Sequence, residues 1–340
     1  MRKIVYHGVK DLRLEESGEL PVCEEGGLLI KVEAFAICGS DIKAYNVGNP
    51  KIVPPRTVGH EFVGFVEESK APGFARGDRV TMATTIGCGV CYYCQKGKPN
   101  LCPDAKAMGF YYDGGMAEYT AVPALAVRNG NVVKVPADIP AVVAAVTEPM
   151  SCVMNGLSRI PAAGLEYAVV IGLGALGLFH SIALRNLGVK NIVCCDFPGA
   201  KFDLARGMGF TTLTPDELKA QYRDLSDGLG FELAVITAPA QIVQEEAPGY
   251  VRKGGYVSFF ASLPVTHEKL TMSSRQLHYN ELVYFGTSDS THVHVEKALA
   301  LLSAQRDLVQ RIVTVLPMEQ YMEGYQGVMD MRYAKVVLTP

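Results

Sequence analysis

No run of like charge, no long apolar stretch and no low-complexity segment interrupts this 340-residue chain. Each absence removes a class of function. The 32 Lys and Arg against 35 Asp and Glu leave a formal net charge of -3 without a basic block, which excludes general binding to nucleic acid or to an anionic membrane surface. The longest apolar stretches, such as 141–146 and 167–171, fall far short of the roughly 20 residues that span a bilayer, so no transmembrane segment is expected. The opening MRKIVYHGVKDLRLEE alternates apolar and charged residues and never builds the apolar core of a signal peptide, so a chain that is not exported is the expectation. Internal repeats are also missing. What the chain has is a 49% hydrophobic and 20% charged composition, which rules out disorder, and a length that predicts two lobes, each with its own core.

The first 150 residues read as short strands with turn punctuation, at 28–34, 61–67 and 77–82. From about Pro161 the pattern becomes strand, glycine-rich turn, helix and strand: YAVVIG, a helix over 175–187, then NIVCCD. It continues through a strand at 233–237, a helix near 240–247 and a strand at 255–260, the alternation of a parallel sheet covered on both faces. Two amphipathic helices near 293–304 and 320–331 and a last strand at 335–338 end the chain.

Nine cysteines is an odd number, and four of them fall in the fifteen residues from Cys88 to Cys102. That suits a metal and a reducing cytoplasm better than a disulfide framework. Cys88-x2-Cys91-x2-Cys94-x7-Cys102 supplies four thiolates, enough to close a tetrahedral Zn²⁺ shell with no position left for substrate, and a closed shell is structural. Four unrelated buried cysteines, or a redox pair, would have to account for a tight cluster flanked by Gly87, Gly89 and Gly97. A zinc ribbon on nucleic acid is excluded by charge, since 87–106 offers Lys96, Lys98 and Lys106 and no arginine.

A second, scattered constellation comprises Cys38 in ICGSD, His60-Glu61 in VGHEF and Glu148 in TEPM. One thiolate, one imidazole and carboxylates, with a further position open, make the ligand set of a catalytic zinc. Taken singly each stays ambiguous: a lone cysteine is usually a small buried hydrophobe, and a His-Glu pair a polar contact. Third, Gly172-Leu173-Gly174-Ala175-Leu176-Gly177 follows an apolar strand and opens a helix, the context of a dinucleotide fingerprint. Gly172 permits the turn, Gly174 lets a pyrophosphate approach the helix N-terminus, and Gly177 lets helix and strand pack closely. Asp196, nineteen residues on, could accept both ribose hydroxyls and would repel a 2′-phosphate, which favours NAD over NADP.

With these features in this order, the chain resembles the zinc-containing medium-chain alcohol and polyol dehydrogenases over 28–338. The resemblance is carried by ICGSD, GHE, GDRV, the four-cysteine lobe, DGGMAEY, EPMS and GLGALG. It implies an α/β chain with a β-rich GroES-like catalytic domain, 1–152 and 288–340, and a Rossmann doubly wound parallel-sheet domain, 153–287. EPMS is similar to the sorbitol, threonine and sugar-alcohol branch, where a glutamate takes the place of a cysteine ligand. Carried over, Cys38, His60 and Glu61 would be metal ligands, with Glu148 binding the zinc or its water. Ser40 would begin the proton relay, Leu176 would join the glycines at the cofactor, and Asp196 and Lys201 would hold the adenosine ribose. The implied cofactors are one catalytic and one structural Zn²⁺ and NAD. The implied activity is oxidation of a secondary alcohol of a polyol to a ketone, or a threonine-type or phosphorylated-polyol reaction. A small alcohol is the only expected partner besides copies of the chain in a homodimer or homotetramer.

Two departures matter. Where many relatives have a histidine two residues after the GSD aspartate, this chain has Lys43, either an exposed lysine or a contact for an anionic substrate. The segment 286–292 lacks the arginine that dehydrogenases similar to sorbitol dehydrogenase present there. His7, His180, His267, His278, His292 and His294 fall outside the catalytic motifs, and Cys152, Cys194 and Cys195 read as inert buried residues. A cofactor-binding protein without catalysis is the competing class, and it would need a missing ligand.

Overall fold

The computed structural model describes residues 1–162, 164–264 and 268–340, so His267 lies outside the described residues. The chain divides into two compact units, Met1–Cys152 with Asp289–Pro340, and Val153–Ser288. Among the described residues no helix is long and apolar enough to cross a membrane.

The first unit is built on strand Leu28–Ala36, whose sequence LLIKVEAFA is buried at seven of nine positions, the signature of a strand covered on both faces. It pairs antiparallel with Glu61–Ser69 and with Tyr119–Val122. The sheet runs Val132–Lys134, Arg79–Met82, Glu61–Ser69, Leu28–Ala36, Lys335–Thr339, Val313–Pro317. A smaller sheet joins Asp11–Glu16, Arg2–Gly8 and Arg56–Thr57. Ile4, Ile30, Phe35, Met82, Met116 and Tyr325 lie in the buried cluster of this unit.

Two registers position the chemistry. Ala36 pairs with Glu61, so the chain leaving the first strand through Cys38 runs beside the chain entering the second through His60. Ala36 also pairs with Val337, and Ile37 N–H donates to Val336 O at 3.0 Å, which carries Lys335 to the same place. Residues about 20 and 300 positions apart thereby converge.

The second unit is a six-stranded parallel sheet in the order Thr211–Leu213, Asn191–Cys195, Tyr167–Ile171, Phe231–Ile236, Val251–Phe259, Val283–Gly286. Numbered within the unit, that is 3-2-1-4-5-6, the Rossmann order, whose reversal falls between the first and fourth strands. Helix Ala175–Asn186 buries Leu178, Phe179, Ile182 and Ala183.

Sequence periodicity places the strands read at 28–34, 61–67, 77–82, 167–171, 233–237, 255–260 and 335–338 within a few residues, and leaves Arg2–Gly8, Asp11–Glu16, Tyr119–Val122, Val132–Lys134, Thr211–Leu213 and Val283–Gly286 unnamed. The helix expected over 240–247 is α only from Gln241 to Glu246, and Ala247–Tyr250 is a 3₁₀ turn, because Pro248 has no N–H to continue the helix. Strand Val313–Pro317 is likewise left unnamed by that periodicity, although its Val-Thr-Val run suits a strand; it is half-buried and pairs in parallel with the last strand.

Candidate metal centre and dinucleotide cradle

Cys38 stands at the N-cap of helix Gly39–Val47, and its N–H donates to Asp41 Oδ2 at 2.9 Å. Cys38 Sγ, a His60 ring nitrogen and a Glu61 carboxylate oxygen all lie within 4.8 Å of one another. Ser40 Oγ is 3.4 Å from His60 Nε2, and Asp41 Oδ1 is 3.7 Å from His60 Nδ1. Glu61 is wholly buried, and its Oε2 is ion-paired with Lys335, itself 4% exposed, whose Nζ also donates to Ile37 O at 2.9 Å.

A metal fits these residues. His60 Nδ1 and Glu61 Oε1 are buried with no hydrogen-bond partner among the described residues, an arrangement that costs about 1–3 kcal/mol per group unless something occupies the gap. Burial opposes a charge on His60, yet Cys38 and Asp41 outweigh it and hold its pKa well above the ordinary imidazole range. The pocket of donors attracts positive charge, and thiolate, imidazole and carboxylate are zinc donors.

Glu148 falls outside that set of three. It sits in the first turn of helix Thr147–Leu157, within electrostatic reach of His60 and Glu61. Burial, opposed by His60 and reinforced by Glu61 and Asp289, pushes its carboxyl up to about 7. Cys152, one turn on, donates its thiol to Glu148 Oε1 at 3.3 Å. The thiol read from sequence as inert therefore orients the carboxylate, as an i, i+4 pair on one helix face can. Cys194 and Cys195 are buried in their strand, and burial pushes both thiols up to about 12. Lys43 is exposed on helix Gly39–Val47 and is not drawn into the cluster.

Lys335 is the member that sequence reading missed. It reads as the polar start of a terminal strand, and no local motif links it to Glu61. A lysine preceding an apolar strand carries no such signal until the register is known.

The sulfur atoms of Cys88, Cys91, Cys94 and Cys102 also lie within 4.8 Å of one another. A tetrahedron of Zn–S bonds places its sulfurs about 3.8 Å apart, so the lobe fits the ion. Gly89 and Gly97 have φ of 80° and 70°, left-handed turns that fold the loop back on itself. A Cβ on Gly87 would meet Cys94 Sγ at 2.6 Å, and Asn129 Nδ2 anchors Gly87 O at 2.8 Å. We expect Cys94→Ser to lower bound zinc from two per chain to one and to reduce the thermal midpoint, read by metal analysis and calorimetry. Two retained ions would refute the four-sulfur shell.

In the other unit, Gly172 has φ 99°, and a Cβ on Gly177 would run into Gly172 O. Gly174, at the N-cap of helix Ala175–Asn186, has open space where a Cβ would project, room for a phosphate to reach the helix end. Asp196 Oδ2 accepts Leu173 N–H at 2.6 Å and Oδ1 accepts Phe197 N–H at 2.7 Å. One further lone pair on each oxygen remains for ribose hydroxyls. Leu176 is half-buried, and its carbonyl accepts from His180 Nδ1 at 2.8 Å, which gives that buried histidine a structural role. Lys201 is half-buried; burial lowers its pKa while Asp196 acts to raise it.

Residues 24–137 match the family model described as "Alcohol dehydrogenase GroES-like domain". Over 301 residues the chain is 30% identical to an "Uncharacterized zinc-type alcohol dehydrogenase-like protein" of Haemophilus influenzae, a span that covers 86% of this chain and 85% of that protein. It is 27% identical over 327 residues to an L-threonine 3-dehydrogenase of Shewanella frigidimarina, covering 94% and 93% of the two chains. Among solved structures, a zinc-binding dehydrogenase of Sinorhizobium meliloti 1021 bound to NADP is similar with a TM-score of 0.89 at 25% identity, over 100% of this chain and 99% of that one.

Proposed function

This chain belongs to the zinc-type alcohol dehydrogenase family and is an oxidoreductase, and from that premise we propose that it oxidises a secondary alcohol of a polyol or sugar alcohol to the ketone, with NAD as hydride acceptor. The observation that carries the proposal is the Cys38–His60–Glu61 donor set, with His60 Nδ1 and Glu61 Oε1 buried and unpartnered among the described residues. Zinc held there supplies a Lewis acid that lowers the pKa of a substrate hydroxyl toward neutrality.

The rest is the work of this chain's side chains. Ser40, whose hydroxyl lies 3.4 Å from His60 Nε2, would receive the hydroxyl proton and pass it on toward solvent. A nicotinamide dinucleotide, which the Gly172–Gly177 turn and Asp196 would hold, would supply the hydride acceptor that an alcohol giving up one hydride and one proton needs in order to become a ketone. Glu61 would offer carboxylate oxygen in place of a second thiolate, and with Glu61 ion-paired to Lys335 the net charge of Cys38, Glu61, Glu148 and Lys335 equals that of two cysteines and a histidine. Preference for NAD rests on Asp196, which would stand against a 2′-phosphate. Asp196→Gly is expected to raise the kcat/KM ratio of NADP to NAD at least tenfold, and an unchanged ratio would remove Asp196 from cofactor choice.

A threonine-type substrate is the second reading, favoured by the relative from Shewanella frigidimarina. Reduced-cofactor formation by zinc-loaded protein across neutral polyols, phosphorylated polyols, threonine and simple alcohols, with NAD and with NADP, before and after chelation, separates the two. Turnover of polyols that chelation abolishes supports the proposal. Turnover confined to threonine or to phosphorylated polyols overturns it.

A further inference from the structure

A third carboxylate comes within electrostatic reach of the candidate metal centre from the segment 286–292. Asp289 lies between strand Val283–Gly286 and helix His292–Ala304, with φ 54°, a left-handed conformation uncommon for a residue with a side chain. Its neighbour Ser290 is 4% exposed, and the Ser290 and Ser151 hydroxyls are 2.6 Å apart. Ser151 Oγ in turn donates to Glu148 O at 2.6 Å, so the Ser290 hydroxyl is the donor to Ser151. The turn is thus fastened to the helix that carries Glu148 and Cys152. On the other side Thr291 is tied to His294 by the capping contacts that open helix His292–Ala304.

Fixed in this way, the Asp289 carboxylate takes a hydrogen bond from the Thr85 side chain and lies within electrostatic reach of His60, Glu148 and Cys152. The residue as a whole keeps solvent access, while burial of its carboxyl raises the pKa of that group. The charges around it are unequal. Glu61 is ion-paired with Lys335, whereas Glu148 makes no ion pair among the described residues: a thiol hydrogen-bonds it, and His60 and Lys335 act on it only at longer range. His60 and Lys51, an exposed loop lysine, are the cations within reach of Asp289. A carboxylate or phosphate on a substrate held at His60 would face both Glu148 and Asp289, while an ammonium or hydroxyl would find acceptors there.

We propose that Asp289 is a specificity-determining residue that selects secondary alcohols bearing a neighbouring ammonium or hydroxyl group and turns away those bearing a carboxylate or phosphate. The inference rests on the alcohol-oxidising reading of the same centre.

The test is a matched series on zinc-loaded full-length protein: 3-amino-2-butanol, 2,3-butanediol and 2,3-dihydroxybutanoate, which differ in charge beside a similar carbinol. Wild type should oxidise the amine and the diol with kcat/KM at least tenfold above the hydroxy acid. Asp289→Asn keeps the backbone, because asparagine also tolerates the left-handed region, and should shrink the amine-to-acid ratio at least tenfold. Asp289→Lys should invert the order. Circular dichroism and zinc content, unchanged in Asp289→Asn, separate selectivity from misfolding. A ratio unmoved by Asp289→Asn, or a wild type that prefers the hydroxy acid, overturns the inference. Should none of the three be oxidised with NAD or NADP, isothermal titration of the same compounds decides the matter. The amine binding tightest to wild type but not to Asp289→Asn sustains the inference while the alcohol-oxidising reading falls; equal affinities for all three overturn the inference as well.

Discussion

Cys38→Ser is expected to strip one metal ion of two from the chain and to lower kcat/KM about a thousandfold while leaving the fold intact. Lewis-acid activation at such a centre contributes several kcal/mol to the barrier, and about 4 kcal/mol corresponds to that factor. The fold should survive because Cys38 occupies the N-cap of helix Gly39–Val47, where serine is a preferred residue, and because the Asp41 carboxylate still accepts the residue 38 N–H. Cofactor binding should persist, since the glycine-rich turn and Asp196 belong to a unit with its own buried cluster. Metal analysis, cofactor titration and initial rates on one preparation check all three parts. Full turnover with both ions retained would remove Cys38 from the metal centre.

Lys335→Met should be the most destabilising single change near the site. The substitution keeps the length of the side chain but leaves Glu61, wholly buried, without its counter-charge. Breaking a buried pair from one side costs about 3–5 kcal/mol, because the remaining ion can be neither solvated nor neutralised cheaply. The loss should be largest in metal-free protein, where no second cation shares Glu61, and smaller once zinc is added. Urea unfolding of wild type, Lys335→Met, Glu61→Gln and the double variant closes the cycle. The double variant should recover much of what Lys335→Met loses, since an uncharged amide needs no counter-ion. A cost under about 1 kcal/mol for Lys335→Met would mean that Glu61 is not held by that ion pair.

Much of the molecule follows from local sequence. The Cys88–Cys102 lobe is legible because four metal-binding side chains lie within one loop, with Gly87, Gly89 and Gly97 at points where a side chain would collide or the backbone turns left-handed. The glycine-rich turn is legible for the same reason: the strand before it, the helix after it and the constraint on Gly177 all lie within the twenty residues 167–186. Helices and strands with clear apolar period fall within a few residues of where that period puts them.

The candidate metal cluster is different in kind. Cys38, His60 and Glu61 are recognisable as donor types, but each could equally be a buried thiol or a polar contact until the Ala36–Glu61 register joins them. Lys335, Cys152 and Asp289 carry no signal at all. Their roles come from a cross-strand pairing some 300 residues distant, a one-turn contact with Glu148, and a serine pair that fastens a strained turn beside it. Sequence by itself therefore determined the donor chemistry and the two local binding loops, because those depend on residue type and short spacing. Only the tertiary structure decided which charges meet at the metal centre and which are left to face a substrate, because burial and counter-charge are set by what the sheet brings together from distant parts of the chain.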